Sequence, residues 1–462
     1  MSSETDKKWD QKLFQTLQQL DAVSHTFCAA KWKQTTLHLQ NGMTHSCHHP
    51  PAHKVPLDEL AVSSDALHNT KFKNDQRQLM RDGKRPEECS FCWKAEDAST
   101  TTYSDRIIKS ADDWAQGDFA ELAQESNPAP SYLEVSFGNV CNMRCMYCAP
   151  DISSSIWSEY EKHGPYPVEI SNPLEWFIAQ GKKPIRPDEP NPYLDAFHDW
   201  FPKIVDQLRV FRITGGEPLL NANTFKMLDW LSEHSHPELD FAINTNLMVP
   251  SESVRKTALS MEGMIQDGKL HKARLYTSVD THGPDAEYVR HGLDYAKLLR
   301  EAHNFLKAAP HVGLTFIVTH NIFSFQSFEL LLADILAMKK AHIHYVEPIP
   351  RVMMDLTILR SPDFMCSLMA TPEMKDGFSK AIKFMKIHAE SNAYPWGFNA
   401  YERNKAQRLY EILLAGWNDP ARPVELLKKE LHAFLVEYDL RKGSNHLKTF
   451  PGYGPFFTDL QA

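Results

Sequence analysis

The sequence predicts an α/β protein whose central part is built of parallel strand–helix units. Six strand-like runs occur after residue 130, and segments with the helical spacing of apolar residues separate them. The runs cover residues 132–137, 208–214, 239–244, 273–279, 312–318 and 342–347. Such alternation is typical of parallel β/α units. Beyond residue 350, apolar stripes such as Leu409, Leu413 and Leu414 predict mostly helices.

Polar side chains alternate with apolar ones along several of these runs. They include Glu134/Ser136, Arg212/Thr214, Tyr276/Ser278/Asp280 and Thr315/Thr319. Because side chains two residues apart point to the same face of a strand, each of these strands presents one polar face. A strand buried on both faces would instead read as a continuous apolar run. The pattern therefore predicts a polar interior, which suits a polar ligand.

The composition is that of a globular protein long enough for two or three domains. Of its 462 residues, 42% are hydrophobic, which supports a sizeable core. The formal net charge of -9 makes nucleic acid an unlikely partner. There is no apolar signal core and no run of eighteen apolar residues, so we expect a cytoplasmic protein without a membrane span. In a reducing compartment the eight cysteines are expected to act as thiolate ligands.

The N-terminal region carries four of the cysteines. Apolar residues at helical spacing over residues 6–22 lead into Cys28, and Cys47 and the close pair Cys89 and Cys92 follow. Four thiolates complete one tetrahedral zinc site or one fully ligated [4Fe-4S] cluster, and a zinc ribbon would need two close pairs. The polar segment 104–127 predicts a linker. We therefore expect three regions, at 1–125, 126–350 and 351–462. The spacing leaves both zinc and a [4Fe-4S] cluster as candidates for the N-terminal site.

Three further cysteines stand close together after the first strand. Cys141, Cys145 and Cys148 fall within eight residues, which puts three soft thiolates on one tight loop. Such a loop suits an iron–sulfur cube better than zinc. Because no fourth cysteine lies nearby in the sequence, one iron of a cube would remain free to bind another ligand.

Polar groups are expected at the ends of two later strands. Gly215 and Gly216 allow the backbone to approach a ligand closely, and Glu217 can accept hydrogen bonds from an ammonium group. Ser278 and Asp280 lie on one face of the fourth strand, where they can hydrogen-bond a ribose. Ordinary turn and capping roles remain alternatives for both sets.

Together these motifs resemble the signature of the radical S-adenosylmethionine (SAM) superfamily. Cys141-x3-Cys145-x2-Cys148, with Tyr147 before the last cysteine, is similar to the cluster motif of that family, and 215–217 is similar to its GGE motif. The resemblance implies a partial (β/α)6 TIM-like barrel. It also implies a [4Fe-4S] cluster whose open iron is chelated by SAM, and cleavage of SAM to a 5′-deoxyadenosyl radical.

The resemblance implies roles for individual side chains as well. Gly215, Gly216 and Glu217 would contact the amino group of SAM, and Ser278 and Asp280 its ribose. Tyr147 would lie beside the adenine, and Arg290 would meet the carboxylate. The alternative for Arg290 is a place on a solvated helix face.

The N-terminal cysteines resemble a second motif. The spacing Cys28-x13-Gly42-x4-Cys47, and Cys89-x2-Cys92 followed by Glu96, is similar to the auxiliary-cluster motif of SPASM and Twitch domains. The resemblance implies an auxiliary [4Fe-4S] cluster, with zinc as the alternative. Those domains usually follow the radical SAM core, whereas these cysteines precede it.

The sequence thus predicts an enzyme that cleaves SAM and abstracts hydrogen from a peptide, a protein or a small metabolite. An electron donor such as flavodoxin or ferredoxin is the implied partner. Two alternatives are a zinc-binding module for nucleic acid or protein, and a sensor that binds SAM and cluster without turnover. The residues identify neither the substrate nor a catalytic acid or base.

Overall fold

The computed structural model describes residues 4–98, 103–343, 345–346, 349–391 and 394–461, which form two compact units. The first unit contains Met1–Gly138, Gly181–Gly215 and His236–Phe241. The second unit contains Asn139–Gln180, Gly216–Ser235 and Ala242–Ala462.

Helices and strands are numbered along the chain. The helices are α1 (Glu4–Val23), α2 (Ala29–Lys33), α3 (Leu57–Val62), α4 (Lys71–Arg81), α5 (Ser90–Ala98), α6 (Asp105–Ser110), α7 (Phe119–Gln124), α8 (Ser154–His163), α9 (Leu174–Ala179), α10 (Pro192–Ile204), α11 (Ala222–Glu233), α12 (Ser251–Gln266), α13 (Gly283–Val289), α14 (Tyr295–Ala308), α15 (Phe328–Ala341), α16 (Pro372–Ile387), α17 (Ala400–Ala415), α18 (Val424–Lys442), α19 (His446–Thr449) and α20 (Gly454–Asp459). The strands are β1 (Gln34–His38), β2 (Met43–His45), β3 (His53–Lys54), β4 (Tyr132–Ser136), β5 (Arg144–Cys145), β6 (Val210–Thr214), β7 (His236–Thr245), β8 (Leu270–Ser278), β9 (Arg290–His291), β10 (Gly313–His320), β11 (Tyr345–Val346), β12 (Ile349–Pro350) and β13 (Val352–Ile358).

The first unit contains a mixed sheet. β1 pairs in parallel with β4, and β4 with β6, whereas β2 pairs antiparallel with β1 and with β3. In register, Thr36 lies beside Glu134, and Glu134 lies beside Arg212. Neighbours in register share a face of the sheet, so the predicted polar face is present. β1 was not predicted, because its five residues are mostly polar and have no apolar run.

Helices of the first unit surround an apolar core. α1 packs against α6 and α7, and α2 packs against both of them as well. Leu20, Phe27 and Trp32 belong to this core together with Ile107 and Phe119. The prediction of a linker at 104–127 is therefore wrong. The helices of this segment, α6 and α7, have only six residues each, which is too few to show a helical period in the sequence.

The second unit contains parallel strands covered by helices. β8 pairs with β10, and β10 with β13. α12 packs on β8, and α15 and α17 pack on β13. The α/β class with parallel strands is thus confirmed, and so is the helical C-terminal region, α16 to α20. Within the described residues, no helix is both long and apolar enough to cross a membrane.

The last predicted strand is misplaced. The run 342–347 yields only β11, which pairs antiparallel with β12, and residues 344 and 347 lie outside the described residues. The strand parallel to β10 is β13, ten residues further on. Pro348 and Pro350 follow directly after the predicted run and oppose its extension as a strand, since proline cannot donate a ladder hydrogen bond.

Candidate functional site

The three-cysteine loop is fixed at both of its ends. The backbone N–H of Cys141 donates to Ser154 Oγ at 3.1 Å, and Ser155 Oγ donates to the Cys141 carbonyl at 2.5 Å. Further on, β5 pairs antiparallel with β9, so that Cys145 lies opposite Arg290. The tight turn is closed by Cys148, whose N–H donates to the Cys145 carbonyl at 3.1 Å. Hydrogen bonds to its backbone therefore hold the loop at Cys141, at Cys145 and at Cys148.

Two thiols of this loop face a cavity. Cys145 and Cys148 line a space of about 140 Å³ whose other walls are largely aromatic, including Tyr160, Tyr166, Phe177, Phe434 and Tyr438. All three thiols of the loop are free. Burial raises the pKa of the Cys145 thiol to about 11, although the Arg290 cation opposes the rise. A soft cation bound by these sulfurs would remove that penalty, because it stabilises the thiolate.

Both glycines of the GGE segment meet another part of the chain. A Cβ atom at Gly215 would lie 2.4 Å from Ser136 Oγ, and one at Gly216 would lie 2.4 Å from the Val140 carbonyl. Gly215 also has φ +120, a conformation that side chains disfavour. In this structure the two glycines therefore approach Ser136, at the end of β4, and Val140, just before the cysteine loop.

Glu217 lies in the interior, with 1% of its surface exposed. Its carboxylate accepts hydrogen bonds from Thr245 Oγ1 at 2.7 Å and from the N–H groups of Asn246 at 2.6 Å and Leu219 at 3.0 Å. Burial raises the pKa of Glu217 to about 7, while these donors oppose the rise. Asn246 Nδ2 in turn donates to Asn142 Oδ1 at 3.0 Å. Glu217 is therefore linked to the cysteine loop through one residue.

Asp280, Arg290 and Tyr147 form one hydrogen-bonded group. Arg290 donates through Nε and Nη2 to the two oxygens of Asp280, each at 3.0 Å. The Tyr147 hydroxyl donates to Asp280 Oδ2 at 2.7 Å. Ser278 is half-buried on β8 and lies opposite Ile317 of β10. The structure thus brings three of the predicted SAM contacts together and leaves Ser278 outside that group.

The four N-terminal cysteines meet in the first unit. Cys28, Cys47, Cys89 and Cys92 line one cavity of about 20 Å³, and Lys31 and Arg106 line it too. Lys31 is ion-paired with Glu88, and Arg106 Nε donates to Glu96 Oε1 at 2.9 Å. Lys31 and Arg106 are 2% and 4% exposed, so these cations are buried beside the thiols. Burial raises the pKa values of the Cys28, Cys89 and Cys92 thiols.

The nature of a metal at this second site is not fixed by the cavity. A volume of about 20 Å³ holds roughly one water-sized sphere, which suits a single ion. Among the described residues, however, no three His, Cys, Asp or Glu side chains are arranged to hold one ion. Four thiols are a suitable ligand set for a zinc ion and also for a [4Fe-4S] cluster.

The sequence interpretation missed the charged residues around the four N-terminal cysteines, whereas Asp280 and Arg290 beside the three-cysteine loop were among the predicted site residues. Lys31 follows Cys28 by three residues and Glu88 precedes Cys89, so proximity in sequence was an available signal. Arg106 lies in the segment that was predicted to be a linker. Of the histidines between the cysteines, His49 lines the same cavity as the four thiols, and its Nε2 lies 2.6 Å from Asp105 Oδ2. His38 Nε2 lies 3.2 Å from His45 Nε2, and His45 Nδ1 donates to the Cys47 carbonyl at 2.5 Å.

No protein-family model matches the chain. Three curated proteins named GTP 3′,8-cyclase are similar to it. That of Sulfurimonas denitrificans is 26% identical over 177 residues, 37% of this chain and 42% of that protein. That of Campylobacter lari is 22% identical over 276 residues, 58% and 71% of the two chains. That of Nautilia profundicola is 26% identical over 129 residues, 27% and 30%. Two of the three matches therefore span less than half of the relative.

Solved structures give weaker similarities. Native anSMEcpe with bound AdoMet has a TM-score of 0.35 and 12% sequence identity, over 62% of this chain and 68% of that chain. Streptococcus suis SuiB bound to S-adenosylmethionine has a TM-score of 0.35 and 12% identity, over 76% and 69%.

Proposed function

We propose that the protein is a radical SAM enzyme with a partial β/α barrel. The observation that carries the proposal is the three-cysteine loop, pinned by backbone contacts with Cys145 and Cys148 facing a cavity of about 140 Å³. Three thiols fit a [4Fe-4S] cluster that keeps one iron open. The similarity to the GTP 3′,8-cyclases supports the same class.

Cys141, Cys145 and Cys148 would hold the cluster, and SAM would bind beside it. A cluster bound there would supply the one-electron reduction that cleaves SAM to methionine and a 5′-deoxyadenosyl radical, and this radical would abstract hydrogen from the substrate. Tyr160, Tyr166 and Phe434 on the wall of this space would shield the reacting groups from water. Glu217 fixes the turn at Asn246, whose side chain supports Asn142 on the loop.

SAM cleavage is tested by anaerobic reconstitution with iron and sulfide. Dithionite and SAM are then added, and 5′-deoxyadenosine is measured by liquid chromatography. We expect the wild-type protein to form it and Cys145→Ala to form none. An equal yield from the two proteins would overturn the proposal.

For the substrate we propose a small metabolite, with a purine nucleotide as the first candidate. The support is the name GTP 3′,8-cyclase shared by the three relatives. The test is to supply GTP deuterated on the ribose and to look for deuterium in the 5′-deoxyadenosine. Transfer of deuterium supports the proposal. Unlabelled 5′-deoxyadenosine at the rate seen without GTP overturns it and leaves peptides as the next class.

We further propose an auxiliary [4Fe-4S] cluster at Cys28, Cys47, Cys89 and Cys92. The support is that four thiols, the full ligand set of such a cluster, line one cavity. Zinc is the second candidate, because the cavity is small. Iron, sulfide and zinc contents separate the two: about eight irons per chain support two clusters, whereas about four irons and one zinc support the alternative.

A further inference from the structure

Arg290 is held against the cysteine loop by its backbone and by its side chain. Its backbone lies opposite Cys145 in the β5–β9 ladder. The neighbouring Met146 N–H donates to the Val289 carbonyl at 3.0 Å. The side chain then returns to the same cysteine, with Nη1 donating to Cys145 Sγ at 3.8 Å. The position of the guanidinium is therefore fixed relative to one particular sulfur.

The hydrogen-bonding capacity of this guanidinium is mostly used. Nε and Nη2 bind Asp280, Nη2 also donates to the Tyr147 hydroxyl at 2.5 Å, and Nη1 binds Cys145. Arg290 is 7% exposed and Asp280 is 0% exposed. A planar guanidinium that donates to both oxygens of a buried carboxylate forms a strong and directional ion pair.

Both carboxylate oxygens of Asp280 also accept hydrogen bonds. Besides the guanidinium and the Tyr147 hydroxyl, it accepts from the Thr319 N–H at 3.2 Å. Because it is fully buried, no oxygen of Asp280 is open to a ribose in this conformation. Breaking the pair would leave a buried, unpaired charge, which is costly.

We propose that Arg290 is a positioning residue for the Cys145 thiolate, and that Asp280 and Tyr147 hold Arg290 in place. This inference rests on the proposed function. It assigns the three side chains to the cluster loop, whereas the family resemblance assigns them to SAM. A charge-assisted hydrogen bond from Nη1 to Cys145 Sγ would stabilise the more negative, reduced cluster and so raise its reduction potential.

The test measures the cluster before SAM is added. The midpoint potential is determined by a redox titration followed by electron paramagnetic resonance, for the wild type, Arg290→Gln and Arg290→Lys. We expect a clear shift to more negative potential for Arg290→Gln and a smaller one for Arg290→Lys, which keeps the charge. Arg300→Gln, a change at an exposed residue of α14, is the matched control and should leave the potential unchanged.

A second measurement separates the two assignments. SAM affinity is measured by equilibrium dialysis on the oxidised cluster proteins. An unchanged potential in Arg290→Gln overturns the inference, and a tenfold weaker affinity for SAM would then return Arg290 to the SAM carboxylate. Tyr147→Phe, which keeps the ring and removes only the hydroxyl, should shift the potential in the same direction even if Arg290→Gln folds poorly. Absence of any reducible cluster in the wild-type protein would instead mean that the proposed function fails.

Discussion

The two cysteine sites are built in opposite ways. In the second unit, three thiols come from eight consecutive residues, and the cation beside them, Arg290, is distant in the sequence. In the first unit, four thiols come from across 28–92, and one cation, Lys31, is local to Cys28. A short ligand loop needs support from far away to fix its shape. Ligands that are far apart in the sequence must be brought together by the fold. The charge of their thiolates can then be balanced by residues that are close to them in the sequence, as Lys31 is to Cys28.

The sites also differ in openness. The three-thiol site faces a cavity of about 140 Å³ with aromatic walls, whereas the four-thiol site encloses about 20 Å³. Of these two cavities, only the one at the three-thiol site is clearly larger than a single ion. Under the proposed function, this contrast assigns the reaction to the three-thiol site and a supporting or electron-transferring role to the other.

The largest expected effect comes from removing one ligand of the three-thiol site. Cys145→Ala should abolish 5′-deoxyadenosine formation and lower the iron content by about four per chain, because three ligands cannot become two without loss of the cluster. The four-thiol site should keep its metal, since it lies in the other unit. Cys366→Ala, at a buried cysteine outside both sites, is the control. Loss of metal from both sites would show that they are not independent.

Removing a ligand of the four-thiol site should have the reverse effect. Cys92→Ser is expected to lose the metal of the first unit and to lower its melting temperature, because Cys92 belongs to the apolar core there. The absorbance and paramagnetic signal of the three-thiol cluster should persist. If metal content and melting temperature match those of the wild type, Cys92 is not a ligand.

The charge balance around the four-thiol site gives the next prediction. Lys31→Met leaves Glu88, whose side chain is 10% exposed, without its cation. We expect a loss of about 3–5 kcal/mol in the free energy of unfolding in urea. The double variant Lys31→Met, Glu88→Gln should recover most of it. A double variant as unstable as the single one would show that Lys31 acts on the thiols and not through Glu88.

The smallest effect concerns pH at the three-thiol site. Since burial raises the pKa of Glu217 to about 7, its folded form binds a proton more tightly than an unfolded chain with its ordinary pKa near 4.5. Stability relative to Glu217→Gln should therefore fall as pH rises from about 4.5 to 7, by up to about 3 kcal/mol. Urea unfolding at several pH values measures this. A difference that stays constant across the range would contradict the raised pKa.

Local features of the two sites were predictable from the sequence, and distant contacts were not. The Cys141–Cys148 spacing and the paired glycines are local signals, and so is the close pair at Cys89 and Cys92. The ion pair of Arg290 with Asp280 depends on where the ends of β8 and β9 lie in the fold. Residue spacing in the sequence does not give that position. Strand β13 was missed because prolines interrupt the segment before it and its apolar residues resemble those of the following helices. Strand β1 was missed for the opposite reason, since its polar residues are buried only by tertiary packing.

The pairing of β5 with β9 also sets an order of events during synthesis. Cys145 and Arg290 are separated by 145 positions, so a growing chain exposes all three ligands long before the strand that orders them has been made. Closing so long a segment costs conformational entropy, which only the completed unit can offset. A ribosome-bound chain that ends before residue 290 contains the three cysteines but lacks β9, the strand that pairs with β5. The backbone pairing that holds Cys145 is therefore complete only after the second unit has folded.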